Sequence, residues 1–194
     1  MEFTIRQARR EDAAFIARAV LTAIGDELTV HMAGGADRVP LVREVFTNLA
    51  AMDVSQYSYR NTLIAEGPDG NAAGAVVCYD GARLYELREA FVNEANRLLG
   101  WNTTQAEFTD ETSADEVYLD SLMVVPEYRR RGLGAMLIAE AGKKAAEAGK
   151  PLGLLVDFDN PNAKRLYTGV GFVSVGTRPF AGKEMEHLQL LSKK

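Results

Sequence analysis

The segment Tyr118-Leu-Asp-Ser-Leu-Met-Val-Val-Pro-Glu-Tyr-Arg-Arg-Arg-Gly-Leu-Gly-Ala-Met-Leu-Ile138 predicts an apolar strand, a basic glycine-rich loop and the first turns of a helix. Gly132 and Gly134 carry no Cβ, so an anion can approach this backbone closely. Amides at the start of a helix lack intrahelical partners, and the helix dipole favours negative charge there. The segment therefore predicts a phosphate-binding turn. Its candidate residues are Arg129, Arg130, Arg131, Gly132, Leu133, Gly134 and Ala135.

The spacing of the glycines distinguishes this turn from two common phosphate-binding motifs. A dinucleotide-binding turn needs Gly-x-Gly-x-x-Gly, and position 137 is Leu. A P-loop needs Gly-x-x-x-x-Gly-Lys-Ser/Thr, which is absent from this segment. What remains is Arg129-x-x-Gly132-x-Gly134 directly after a strand. On the loop alone, an ordinary strand–turn–helix with an exposed basic turn stays an alternative.

A second segment follows in a fixed order. Residues 151–157 predict a short buried strand. Asn160-Pro-Asn-Ala-Lys-Arg-Leu-Tyr167 predicts a helix that has Asn160 as its N-cap and Pro161 at its first position. Gly171-Phe172 comes a few residues later.

The two segments together resemble the GNAT (general N-acetyltransferase) superfamily. Its pattern is Gln/Arg-x-x-Gly-x-Gly/Ala after a strand, then a second strand, Asn-x-x-Ala-x-x-Leu-Tyr and Gly-Phe. The resemblance extends over about residues 5–191, and its specific part lies between 117 and 172. It implies an α+β fold with a mixed, mostly antiparallel central sheet flanked by helices. It also implies one acyl-CoA N-acyltransferase domain over residues 1–194.

The same resemblance implies a reaction and its cofactor contacts. An acetyl group would pass from acetyl-CoA to a primary amine of a small-molecule or peptide acceptor, by direct attack in a ternary complex. The bulged cofactor strand of the family pairs with the pantetheine arm, and a strand amide there could polarise the thioester carbonyl. The glycine loop would hold the pyrophosphate. The remaining implied cofactor contacts are Leu122, Met123, Val124, Asn160, Ala163 and Tyr167.

Two polar side chains are candidates for the proton transfers. Matching tyrosines in the family lie near the cofactor sulfur, so Tyr167 is the candidate acid; a phenol with a pKa near ~10 is protonated at neutral pH. The alternative is a tyrosine that only packs on the sheet. The glutamate that some members use as base is replaced here by Leu155. Asp120, which alternation places on one face with Tyr118 and Leu122, is the candidate base or cation contact.

The assignment of the base leaves alternatives open. Asp120 could equally be a structural carboxylate, and Asp157 is a weaker candidate base. His31 and His187 are too isolated for a metal site, so no metal is expected. His187 falls in the last strand pattern and is expected to be structural.

Composition is ordinary for a globular protein, with 47% hydrophobic and 25% charged residues. A net charge of −5 argues against general nucleic-acid binding. No apolar run reaches about 18 residues, and no signal peptide is apparent. Cys78 is the single cysteine and is expected to be buried. These features favour a cytoplasmic protein without a membrane span. Homodimerisation is left open.

Hydrophobic periodicity predicts the rest of the scaffold. A Gly67–Gly70 hairpin turn is expected between two strands. The predicted strands are 3–8, 62–66, 73–80, 117–125, 151–157, 173–177 and 184–191. The predicted helices are 12–28, 40–51 and 133–148, besides the one that begins after Asn160.

Residues 82–116 are predicted to be an insertion before the cofactor strand. Their first part carries a helical apolar face, and the part from Trp101 to Glu116 is polar and acidic. One interpretation is a surface helix followed by a solvated loop. The other is a lid that shapes the acceptor pocket or contacts a partner. Two non-enzymatic functions also stay open: an inert acyl-CoA-binding sensor, and an interaction protein whose acidic insertion binds a basic partner.

Overall fold

The computed structural model describes residues 3–191. Its strands are β1 (Thr4–Gln7), β2 (Thr62–Glu66), β3 (Ala72–Asp80), β4 (Val117–Val124), β5 (Leu152–Asp157), β6 (Val173–Phe180) and β7 (Lys183–Leu190). Its α-helices are α1 (Ala13–Ala33), α2 (Val39–Ala51), α3 (Leu84–Leu99), α4 (Leu133–Glu147) and α5 (Pro161–Gly169).

All seven strands form one sheet in the order β1-β2-β3-β4-β5-β7-β6. Every neighbouring pair is antiparallel except β4 and β5, which are parallel. The α+β architecture with a mixed, mostly antiparallel sheet is thus confirmed. The Gly67–Gly70 turn is also confirmed, since Gly70 N donates to Gly67 O at 2.9 Å.

The core lies on the two faces of this sheet. On one face α1, α2 and α3 bury a cluster that includes Ile16, Phe46 and Phe91. On the other face α4 buries Leu137 and Ile138 against the middle strands. Cys78 belongs to this second cluster and is buried, as expected. No helix within residues 3–191 is both long and apolar enough to span a bilayer.

One helix and one strand are longer than predicted. The first helix continues to Ala33 instead of ending near Leu28, and it is interrupted at Gly25, where φ is 80°. Glycine adopts this left-handed backbone readily, so the chain bends there and resumes the helix. The sixth strand continues to Phe180 because it pairs with β7 as far as Lys183.

Candidate active site

The strands β4 and β5 diverge after two residue pairs. They pair only at Val117 with Leu152 and at Tyr118 with Gly153. Beyond that point β4 keeps its partner β3, and β5 keeps its partner β7. The β5-facing edge of β4 after Tyr118 therefore has no strand partner among residues 3–191. An extended ligand can add to such an edge through backbone hydrogen bonds.

A β-bulge lies on β4 beside this opening. Ser121 pairs with Val77 and Leu119 pairs with Cys78, so Asp120 is the extra residue. The prediction that Asp120 shares a face with both Tyr118 and Leu122 is therefore wrong. Leu122 packs in the cluster under α4, whereas Tyr118 packs with Leu84 and Leu87 on the opposite side. The bulge resets the alternation of side chains after Asp120.

The glycine loop ends in an open helix N-terminus. Gly132 is the N-cap of α4 with φ at 82°, and Met136 N donates to Gly132 O at 3.0 Å. No hydrogen bond from the described residues engages the amides of Leu133, Gly134 and Ala135. A Cβ placed on Gly132 would meet no heavy atom within 4 Å. The predicted amide donors of these three residues are thus unpaired among the described residues.

The three arginines of the loop are exposed but differently arranged. Arg129 Nε donates to Val124 O at 3.0 Å, which fixes it against the end of β4. Arg130 has a positive φ of 60°, which is rare for a residue with a Cβ. The Arg131 guanidinium lies over the Tyr128 ring, 5.7 Å from its centroid.

A cleft of about 270 Å³ joins the open edge of β4 to this loop. It includes most of the predicted cofactor contacts on β4 and the loop. Met123 is an exception, because its side chain is buried on the opposite face, where its Sδ accepts from Thr22 Oγ1 at 3.4 Å. Arg131 is a second exception. The lining residues are Leu122, Val124, Tyr128, Arg129, Arg130, Gly132, Leu133, Gly134, Ala135 and Leu166.

The helix α5 lies against the cleft. Asn160 Oδ1 accepts from Ala163 N at 3.1 Å, so the predicted N-cap is confirmed. Asn160 and Ala163 do not line the cleft, whereas Leu166 does. Tyr167 is half-buried, packs on Phe172 with ring centroids 5.6 Å apart, and has its pKa raised by burial to about 12.

A second pocket of about 480 Å³ lies on the α1–α2–α3 side of the sheet. Asp120 belongs to its wall, whereas Asp157 does not. The predicted insertion contributes Arg88, Phe91, Trp101, Glu107, Phe108, Thr109 and Glu111. The other lining residues are Ile24, Leu28, His31, Met32, Phe46, Gln56, Tyr57, Phe180, Ala181 and Gly182.

Asp120 is electrostatically unusual within this pocket. Burial raises its pKa to about 7, and the Glu111 charge acts in the same direction. The hydrogen bond from Ser121 Oγ, at 2.7 Å, acts against this rise. A carboxyl group that titrates near neutrality can accept a proton at physiological pH.

The comparison with known proteins identifies the family. The family profile of the Acetyltransferase (GNAT) family matches residues 64–172, more than half of the chain. A solved structure described as an acetyltransferase is 30% identical, with a TM-score of 0.75 over 96% of this chain and 97% of the other. The chain belongs to the GNAT acetyltransferase family.

Other solved GNAT-like structures show the same fold at lower identity. An N-acetyltransferase from Staphylococcus aureus Mu50 is 23% identical, with a TM-score of 0.77 over 96% of this chain and 100% of its own. A structure described as histone acetyltransferase HPA2 and related acetyltransferase, from Corynebacterium glutamicum, is 17% identical, with a TM-score of 0.68 over 97% and 96%. No curated protein matches the chain.

The predicted insertion, residues 82–116, is a solvated loop only in part, which limits one of its two interpretations. Trp101 Nε1 donates to Met32 O at 3.2 Å, and Phe108 packs beside Phe91 with centroids 5.8 Å apart. Glu111 is buried and bound by Arg88. Not all acidic residues of this segment face solvent. Glu111 is buried, and the charge of the buried Arg88 compensates it.

Glu116 is a buried group that the sequence did not single out. Its carboxylate is fully buried and accepts from His187 Nε2 at 2.8 Å, Gln189 Nε2 at 2.9 Å and Thr112 Oγ1 at 2.8 Å. His187 therefore has a structural partner, in agreement with its predicted role. The available signal was an acidic residue directly before an apolar strand.

Proposed function

We propose that this protein transfers the acetyl group of acetyl-CoA to a primary amine by direct attack in a ternary complex, and that the whole chain forms one such domain. The observation that carries this proposal is the divergence of β4 and β5 after Tyr118. It leaves an open strand edge next to an anion-binding helix start on one face of the sheet. The pocket with Asp120 lies on the other face.

The cofactor would lie along the first of these features. The amides of Leu133, Gly134 and Ala135 face the cleft and suit a pyrophosphate, because both hydrogen bonding and the helix dipole favour an anion there. Backbone groups of residues 122–124 would pair with the pantetheine arm. Arg129, Arg130 and Arg131 supply positive charge around the loop.

The proton transfers would use the two polar candidates. The amine nitrogen attacks the thioester carbonyl, the carbon–sulfur bond breaks, the amine proton passes to Asp120, and the thiolate takes a proton from Tyr167. The charges of Asp120 and Tyr167 both contribute to the raised pKa of Tyr118, after burial as its main cause. Asp120 directly follows Tyr118, the last residue of β4 that pairs with β5, and this position at the divergence supports its proposed role.

A thiol-release assay tests this proposal. The protein is supplied with acetyl-CoA and pooled amines that cover antibiotics, polyamines, amino acids, peptide N-termini and arylalkylamines, and CoA affinity is measured by calorimetry in parallel. Acetyl-CoA-dependent thiol release with one pool supports acetyl transfer. CoA binding without release from any pool indicates the inert sensor. Partner capture that is lost on deletion of residues 102–116, while CoA binding stays intact, indicates the interaction protein.

A further inference from the structure

One wall of the second pocket is built from aromatic rings that meet edge to face. The Phe46 and Tyr57 rings are 4.9 Å apart at 88°. The Phe91 ring meets Trp101 at 6.0 Å and Phe108 at 5.8 Å, with interplanar angles of 80° and 78°. Such a wall offers ring faces and edges to a flat apolar group, and aromatic pairs of this geometry are favourable beyond the area they bury.

Arg88 and Glu111, which both line the pocket, form a buried ion pair. Arg88 binds the Glu111 carboxylate through Nη2 and Asp110 Oδ1 through Nη1 at 3.0 Å. Glu111 Oε1 also accepts from Gln56 Nε2 at 2.6 Å and from Tyr79 OH at 2.7 Å. The hydrogen bonds of the Glu111 carboxylate are therefore satisfied within the protein, and Arg88 is fully engaged.

Asp120 differs from the other acidic residues of the pocket. Its Oδ1 accepts from Ser121, and its Oδ2 accepts no hydrogen bond from the described residues. Glu107, at the exposed rim, is engaged by Thr104 N, which donates to its Oε1 at 2.8 Å. Asp120 is thus placed inside the pocket to meet the cationic group of a ligand, whereas Glu107 keeps its charge at the rim.

We propose that the acceptor is an arylalkylamine: a primary amine on a short apolar chain that ends in one aromatic ring. The ring lies against the Phe91–Trp101–Phe108 wall, and the amine points toward Asp120. This inference rests on the proposed function and names its substrate class. The pocket volume of about 480 Å³ falls in the range of roughly 300–1,000 Å³ typical of small-ligand sites.

The lining of this pocket disfavours two other amine classes. A polyamine has no ring to place against the aromatic wall, and beyond Asp120 the lining carboxylate that has no cationic partner among the described residues is Glu107, at the exposed rim. A free amino acid brings a carboxylate that needs a cation, and Arg88 is the one arginine or lysine among the described lining residues. Because Arg88 is already bound by Glu111 and Asp110, it offers little to such a ligand.

Trp101 allows the inference to be tested without catalysis, because it is the single tryptophan of the chain and lines the pocket. Its fluorescence, excited where tyrosine does not absorb, is titrated with phenylethylamine, butylamine and spermidine, with and without saturating CoA. Phenylethylamine is expected to bind at least ~10-fold more tightly than butylamine, since its ring is removed from water in the pocket. It is also expected to bind at least ~10-fold more tightly than spermidine, about 1.4 kcal/mol.

Variants assign the binding to this pocket. Phe180→Ala removes a lining ring and should weaken phenylethylamine binding at least ~5-fold, or about 1 kcal/mol. Phe158→Ala removes an exposed ring outside the pocket and should leave it unchanged. Asp120→Asn should weaken phenylethylamine and not phenylethanol, which keeps the ring and lacks the amine. If Phe180→Ala does not fold, the titrations of the unmodified protein with phenylethylamine, butylamine and spermidine still test the arylalkylamine assignment.

The outcomes separate this inference from the proposed function. Equal affinity for phenylethylamine and butylamine, tighter binding of spermidine, or equal effects of the two phenylalanine variants would overturn the arylalkylamine assignment. Thiol release with another amine class would then leave acetyl transfer standing. Selective phenylethylamine binding without thiol release would support the pocket assignment and reject the transfer.

Discussion

The Glu116 carboxylate and the His187 imidazole are joined across the middle of the sheet, with Oε2 and Nε2 2.8 Å apart. Glu116 immediately precedes β4, and His187 lies on β7, so the bond passes over β5. The Glu116 carboxylate lies directly above Gly153, which is the last residue of β5 that pairs with β4. The point where the two strands separate is therefore held by a buried polar contact rather than by backbone pairing alone.

Gly153 is expected to be intolerant of any side chain. A Cβ at this position would lie 1.9 Å from Glu116 Oε2 and 2.5 Å from its carboxyl carbon. Gly153→Ala should therefore lower the free energy of unfolding by about 1–3 kcal/mol or more, the usual effect of overpacking. Urea denaturation measures the change.

Gly142→Ala is the matched control for this variant. Its Cβ would meet only Leu190 Cδ2, at an ordinary 3.4 Å, within the helix α4. It should be neutral or stabilising by about 0.5–1 kcal/mol. Equal effects of the two alanines would show that Glu116 does not occupy the space above Gly153.

The ionised state of Glu116 should contribute to stability in a defined pH range. Burial opposes the charge, but the hydrogen bonds from His187, Gln189 and Thr112 outweigh it, so its pKa is lowered. A depressed pKa in the folded state gives stability above the unfolded value of about 4.3 that is lost as pH falls through the folded value. Glu116→Gln should lower the free energy of unfolding by about 1–3 kcal/mol at neutral pH.

The pH series checks this assignment. The difference between Glu116→Gln and the unmodified protein should shrink on acidification below about pH 4. Glu184→Gln, at an exposed position of the same strand β7, should show no difference at either pH. A constant difference at every pH would mean that the shape of Glu116, and not its charge, matters.

CoA binding is expected to need the absence of a side chain at Gly132, and not only the left-handed backbone that glycine permits there. Gly132 and Gly149 have φ values of 82° and 70°, and neither Cβ would meet an atom within 4 Å. Valine at either site should carry similar left-handed strain, about 1–2 kcal/mol. Only Gly132→Val should weaken CoA binding, at least ~10-fold, because its side chain enters the cleft. Calorimetry that finds equal affinities for the two variants would reject the loop assignment.

The local features of this site could be predicted from sequence, and the non-local ones could not. The glycine loop and the Asn160 cap depend on neighbouring residues, so their patterns were sufficient. The bulge at Asp120 depends on the register between β3 and β4, which no single segment contains. The Glu116–His187 contact joins residues 71 positions apart.

Residues 82–116 show that amino-acid composition alone does not predict which segments are exposed to solvent. Its acidic residues suggested a solvated loop, yet Trp101 and Phe108 anchor it on the core formed by α1, α2 and α3. Two aromatic residues in an otherwise polar stretch were the signal for burial. Their contacts could not be predicted, because they depend on how α1 and α3 pack together.

Tyr167 should act on turnover and not on cofactor affinity. Burial raises its pKa to about 12, so the phenol keeps its proton throughout the usual assay range. Tyr167→Phe removes only the hydroxyl and should lower kcat by roughly 10²–10⁴, the range of a general acid. CoA affinity, measured by calorimetry, should stay unchanged. Full turnover in this variant would limit Tyr167 to packing against Phe172.

Asp120 should impose a pH dependence on activity that its amide lacks. Its pKa of about 7 means that the carboxylate becomes available as a base only as pH rises through neutrality. The kcat/KM of the unmodified protein should therefore fall about tenfold per pH unit below pH 7 from this group alone. Asp120→Asn should lose this inflection and follow only the ionisation of the amine. A parallel loss at all pH values would indicate acceptor binding instead.

Asp120→Asn should raise the thermal stability of the protein although it lowers the activity. The pKa of Asp120 is raised by burial above the unfolded value of about 3.9, so the unfolded chain binds fewer protons than the folded one between about pH 4 and pH 7. The stability associated with Asp120 is thus fully present below the unfolded pKa and is lost as pH rises through about 7. Asp120→Asn should consequently raise Tm at pH values above 7, and this gain should shrink toward pH 4. A Tm gain that accompanies a loss of activity is the signature of a carboxylate kept desolvated for chemistry, whereas a structural carboxylate bonded to Ser121 would lose Tm on substitution.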